Sequence, residues 1–126
     1  MSAPSQALVL LAHGSSDPRW GEPLRALEAA LAGRAAGLTV LLAALKGGET
    51  LEAALGRAAA LGVSRTLVVP IFLSGGGHLL RDVPALVARA AARHPELEVR
   101  CASTLGEQPE VVEAMALACL RLLAAL

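Results

Sequence analysis

Three apolar runs with no polar alternation divide the chain, at residues 7–12 (ALVLLA), 39–44 and 65–72, and a shorter one follows at 98–102. Runs of this kind suit strands buried on both faces of a parallel sheet, since a strand with one wet face alternates. Between them the apolar period lengthens to that of a helix. Leu24, Leu27, Ala30 and Leu31 share one face of a helix predicted over residues 23–34. Thr50 is placed to cap a second helix, with Leu51, Ala54, Leu55, Ala58 and Leu61 as its inner stripe and Gly62 as its stop. A third helix is predicted over 83–93, ended by His94 and Pro95, and a fourth over 109–126. Strand and helix in alternation imply right-handed crossovers, hence an α/β fold of about four mainly parallel strands flanked by helices on both faces.

The last helix is unlike the others. From Val111 to Leu126 its only charges are Glu113 and Arg121, so it is apolar nearly all round. A helix of that kind must be covered on most sides. Either it lies in an interface between two copies of the chain, or it is wedged against its own sheet.

At 126 residues the chain is expected to be one domain, spanning residues 1–126. Hydrophobic residues make up 55%, which rules out disorder. The 11 basic residues balance the 11 acidic ones, so no long-range field favours nucleic acid or an anionic membrane, and an anionic ligand must be held by local groups. No apolar run reaches the roughly 18 residues of a membrane span. The opening MSAPSQALVLLAHGSS lacks the basic flank and cleavage site of a signal peptide, so a cytoplasmic location is expected. Cys101 and Cys119 fit no metal or redox spacing and read as small buried core residues.

Candidate chemistry gathers at strand ends. His13 and His78 each stand beside glycine after a buried run. Parallel strands end at one edge of the sheet, so two histidines distant in sequence face one cavity. Imidazole serves there both as a metal ligand and as a proton acceptor near neutral pH. Before His78 come Leu73, Ser74, Gly75, Gly76 and Gly77, a loop whose free N–H groups suit a carboxylate or phosphate. Asp82 reads as the N-cap of the next helix, with Pro84 in its first turn. Arg19, Lys46 and Arg81 lie in or beside these loops and can pair with acidic groups on a ligand. Trp20 either lines the pocket or staples the first helix, and His94, in a polar turn, reads as surface. There is no G-x-S-x-G elbow, no Walker-type phosphate loop and no arginine before His13.

At LAHGSSDPRWGEP (residues 11–23), at VVPIFLSGGGHLLRDVPALV (68–87) and more weakly at GEQPEVV the sequence resembles the small sirohydrochlorin chelatases of the CbiX type. That family pairs an HGS or HGA strand end with a PLFL-x-x-G-x-H-x-x-x-D-x-P block. The resemblance implies a chelatase-like, flavodoxin-like α/β domain that inserts Co2+, Ni2+ or Fe2+ into a tetrapyrrole, with no cofactor beyond that substrate metal ion. By it His13 and His78 are the two metal ligands and His13 also the proton acceptor. The loop from Leu73 to His78 cradles the macrocycle, and the short members pair as symmetric homodimers. Two positions depart from the pattern: Lys46 stands where an acidic residue is usual, and Gln108 where a histidine is frequent. A tetrapyrrole or metal carrier that has lost turnover, or a module binding some other small anion, are the other readings.

Overall fold

The computed structural model describes residues 5–74 and 81–126. Strand β1 (Gln6–Gly14) lies between β2 (Thr39–Lys46) and β3 (Arg65–Pro70), and β4 (Glu98–Cys101) closes the other edge, giving the order β2-β1-β3-β4 with every pairing parallel. Helices α1 (Glu22–Ala32), α2 (Leu51–Ala60), α3 (Val83–Ala91) and α4 (Pro109–Ala124) follow the four strands in turn. The expected α/β class and parallel sheet are therefore present.

Two core layers explain the missing alternation. Val9, Leu11, Ala43 and Val68 point to one side, where Leu51, Ala54 and Leu55 of α2 and Val83 and Val87 of α3 meet them. Leu10, Ala12 and Leu42 point to the other, where they meet Leu24 of α1 and the half-buried Trp20. Helix α2 starts where the sequence places it, because Thr50 accepts a hydrogen bond from the Ala53 N–H at 3.1 Å.

Chain path now fixes where a ligand can sit. From β1 the chain passes through α1 to β2 on one flank, then crosses by α2 to β3 on the other. The connection leaving β1 runs toward β2 and the one leaving β3 runs toward β4, so the two part at the carboxyl ends of β1 and β3, the place where open α/β sheets bind ligands.

The covering of the second face is incomplete. Helix α1 lies over β1 and β2, but on the same side of the sheet Leu67 of β3 is 38% exposed, and Glu98 and Arg100 of β4 are exposed. Helix α4 does not fill that gap. It buries no residue, and Val112, Leu117, Leu120, Leu122 and Leu123 are all more than half exposed. The reading in which this helix is wedged against its own sheet is thereby overturned. So is the expectation of two core cysteines: Cys119, on α4, is exposed, and Cys101 is half-buried, with burial pushing its thiol pKa up. Among the described residues no helix is long and apolar enough to cross a membrane.

Candidate functional site

Strand β1 runs further than its apolar stretch. His13 and Gly14 continue the ladder, and Gly14 pairs with Lys46 at the end of a longer β2. That extension depends on a glycine. Gly14 has φ +79°, and a Cβ on it would sit 1.8 Å from the Lys46 carbonyl oxygen, so no other residue lets the two strands close this tightly. His13 is consequently held by strand backbone rather than by a loop. On the other side, the Ile71 N–H donates to the Leu11 carbonyl at 2.8 Å, so the chain leaving β3 departs directly alongside the end of β1.

The His13 ring is exposed, and its Nδ1 lies 3.0 Å from the Gly14 carbonyl oxygen. A carbonyl only accepts, so Nδ1 is the protonated nitrogen and donates to it. The lone pair is left on Nε2, directed away from the backbone contact. An imidazole in this tautomer can bind a metal ion or take a proton through a single nitrogen.

Lys46 stands exposed at the same edge, one strand over. Among the described residues no carboxylate pairs with it. Leu73, 74% exposed, and Ser74 leave β3 there as well. Gly75, Gly76, Gly77 and His78 lie outside the described residues. Arg19 is placed differently from Lys46. Its Nε and Nη2 donate to the Asp17 carboxylate at 2.6 to 3.1 Å, and Asp17 in turn caps the 3-10 turn at Pro18–Gly21 by accepting from the Arg19 N–H. These hydrogen bonds hold the Asp17 pKa below, and the Arg19 pKa above, their ordinary values. Arg19 thus has its Nε and Nη2 turned to Asp17, which leaves Nη1 to reach a ligand.

A cleft of about 290 Å³ opens between the ends of β3 and β4 and the start of α3, lined among others by Phe72, Arg81, Val83, Thr104 and Glu107. The Thr104 hydroxyl is buried there, with no hydrogen-bond partner among the described residues. Asp82 takes the N-cap position of α3, as expected, but its side chain makes no capping bond.

Trp20 is settled as a staple. It packs with the α1 layer, and a Cβ on Gly48 would lie 2.7 Å from its ring, so the indole closes the β2 loop over the first turn. His94, read as surface, is 21% exposed and lies 3.8 Å from Glu96. Sequence reasoning missed Gly106. Its N–H donates to the Phe72 carbonyl at 2.8 Å, and a Cβ there would come within 2.4 Å of the Leu73 backbone. The segment after β4 therefore buttresses the start of the glycine loop. The only sequence signal was a glycine in the otherwise polar stretch GEQPE.

Together the described residues make a carboxyl edge with one fixed imidazole and a lysine that no described carboxylate pairs. An imidazole with Nε2 free can bind a metal ion or take a proton, and the lysine beside it can pair with an acidic group on a ligand.

The CbiX family model matches residues 7–119. Among solved structures, a cobalamin (vitamin B12) biosynthesis CbiX protein from Marinobacter aquaeolei VT8 is 33% identical, with a TM-score of 0.82 over 96% of this chain and 99% of that one. The sirohydrochlorin chelatase SirB from Bacillus subtilis subspecies spizizenii, in complex with cobalt, is 26% identical, with a TM-score of 0.73 over 87% of this chain. SirB from Bacillus subtilis with Fe3+, at 24% identity and a TM-score of 0.72, shares the fold. The chain covers 47% and 44% of the two SirB chains, so it spans less than half their length. No curated protein matches the sequence.

Proposed function

The chain belongs to the CbiX family, and on that premise we propose that it is a chelatase inserting a divalent metal ion into sirohydrochlorin, in cobalamin or siroheme biosynthesis. Cobalt is the first choice of metal, with nickel and ferrous iron next. Imidazole accepts all three, with affinities that follow the general divalent order. The observation that carries the reading is the placement of His13, on the last residues of β1 beside the exit of β3, with a single nitrogen free.

Insertion exchanges two pyrrole N–H protons for one M2+, so the site must strip water from the ion and accept protons as the metal–nitrogen bonds form. Nε2 of His13 can replace a water on the incoming ion and, once its lone pair is released as the ion passes to the pyrrole nitrogens, take one of the two pyrrole protons, the other going to solvent water. His78, which follows β3 in the sequence, is proposed as the second ligand. The substrate-binding residues proposed for the macrocycle are Leu73, Ser74, Gly75, Gly76 and Gly77, of which Leu73 offers an exposed apolar side chain. The macrocycle's carboxylate arms find Lys46 and Arg19, the latter already paired with Asp17. Two copies are proposed to associate through α4, whose apolar surface is otherwise bare.

The test is anaerobic absorbance of sirohydrochlorin with excess Co(II) and catalytic protein. Metallation over many turnovers, faster than the protein-free control, is the expected result. A stoichiometric spectral change without turnover replaces the enzyme reading with a carrier. Lys46→Ala is expected to raise KM for the tetrapyrrole about two- to fivefold, as loss of one exposed ion pair implies, with little change in kcat. An unchanged KM removes Lys46 from the substrate surface.

A further inference from the structure

Beyond Pro70, where β3 ends, the chain keeps alternating: Ile71 packs in the α1 layer, Phe72 in the opposite layer, and Leu73 stands exposed at the carboxyl edge. Among the described residues two backbone hydrogen bonds hold this exit, one from each side. The Ile71 N–H donates to the Leu11 carbonyl at 2.8 Å, and the Phe72 carbonyl accepts from the Gly106 N–H at 2.8 Å. The first anchor is β1, just ahead of His13. The second is the segment 102–108 that leads out of β4.

That segment is itself braced. The Ala102 N–H donates to the Val68 carbonyl at 2.9 Å, which ties the start of the segment to β3. A 3-10 turn follows at Leu105–Glu107, and across it the Gln108 side chain donates to Ser103 Oγ at 2.7 Å and to the Ser103 and Thr104 carbonyls at 3.4 and 3.3 Å. A segment held this way passes a displacement on rather than absorbing it. Gly106 is where it meets the exit of β3. The φ of Gly106 lies outside the left-handed region, so its backbone conformation is open to any residue. What excludes a side chain is Leu73. A Cβ on Gly106 would lie 2.4 Å from the Leu73 Cα and carbonyl oxygen and 2.7 Å from its carbonyl carbon. All three are backbone atoms, which cannot swing aside as the end of a side chain can. The glycine is thus explained by closeness to Leu73 and not by its own conformation.

We propose that Gly106 is a positioning residue for the tetrapyrrole: it touches no substrate, but it sets where Leu73, the exposed apolar residue of the substrate surface, stands. The inference rests on the proposed chelatase reading and adds a residue from the far side of β3 to it. A larger residue at 106 shifts the Leu73 backbone or parts the bond to the Phe72 carbonyl, and in either case the leucine leaves its place. His13 is held on the other side of β1, by the ladder to β2, and does not move with it. The effect of the substitution therefore falls on binding of the macrocycle.

The test is spectral titration of metal-free sirohydrochlorin onto the full chain as wild type, Gly106→Ala, Leu73→Ala and the double variant, each at a temperature where circular dichroism shows it folded. Each single variant is expected to raise Kd about tenfold, as loss of most of one leucine contact implies. The double variant is expected to bind no worse than the weaker single one, because both changes remove the same contact. An unchanged Kd in either single variant overturns the proposal, and for Gly106→Ala it leaves the glycine a role in stability alone. Effects that multiply, to about a hundredfold in the double variant, overturn it too, since Gly106 then acts through something other than Leu73. Should Gly106→Ala fail to fold, Gln108→Ala, which removes the brace, takes its place in the same cycle with a smaller rise expected and the same outcomes deciding. Wild-type protein that binds the macrocycle but does not metallate it overturns the chelatase reading and leaves the positioning role standing. Wild-type protein that does neither ends both.

Discussion

His13→Ala is expected to lower the rate of sirohydrochlorin metallation by roughly 10²- to 10⁴-fold, the range for loss of a positioned acid–base group. The same loss is expected for His78→Ala. The His13 ring donates Nδ1–H to the Gly14 carbonyl at 3.0 Å, so Nε2 is left with the ring's free lone pair, and alanine removes that basic nitrogen from the end of β1. The fold should not register the change. The ring is exposed and its backbone hydrogen bonds stay in the ladder, so stability should move by no more than about 0.5 kcal/mol. Two measurements separate chemistry from structure: circular dichroism with thermal melting of the variant, and rescue of its turnover by added imidazole. Near-normal turnover in the unrescued His13→Ala protein would remove the two-histidine mechanism.

Most of the scaffold behind that prediction was legible in the residues. Strands and helices fall within a few positions of where the apolar runs, Thr50 and Gly62 put them, because strands covered on both faces leave continuous apolar runs and caps leave polar punctuation. The placement of His13 was legible for the same reason. What could not be read depends on which of two equivalent surfaces a side chain meets. Leu67 stands in the same apolar run as buried Val68, yet lies on the uncovered side of the sheet. A leucine-rich helix carries the same pattern whether it covers its own sheet or another, and so Cys119 was misplaced in the core. Arg19 was read as available to ligand because its pairing with Asp17 arises from a 3-10 turn that periodicity does not reveal. Gly106 showed only as a glycine in a polar stretch, since its role is set by the Leu73 backbone, distant in sequence.

Gly14→Ala should be the most disruptive conservative change at the site, and comparison with Gly62→Ala shows why. Both glycines have positive φ, +79° and +78°. An alanine at either pays the left-handed strain, about 1 to 2 kcal/mol. Around Gly62 nothing lies within 4 Å of the new methyl, so that strain is the whole cost. At Gly14 the methyl would sit 1.8 Å from the Lys46 carbonyl oxygen and 2.9 Å from the Ala44 Cβ. Strand backbone cannot give by the amount required, so the last pair of the β1–β2 ladder must open. The expected total is about 3 kcal/mol or more, near the top of what single substitutions do. For a chain of this size that is a fall in Tm of roughly 10 °C or more, against a few degrees for Gly62→Ala. Opening the ladder also frees the Gly14 carbonyl that holds the His13 tautomer, so turnover should fall further than the folded fraction does. Activity measured well below the lowered Tm, and divided by the folded fraction, tests this. If that ratio equals the wild-type value, the strand closure at Gly14 serves stability alone and has no part in aiming His13.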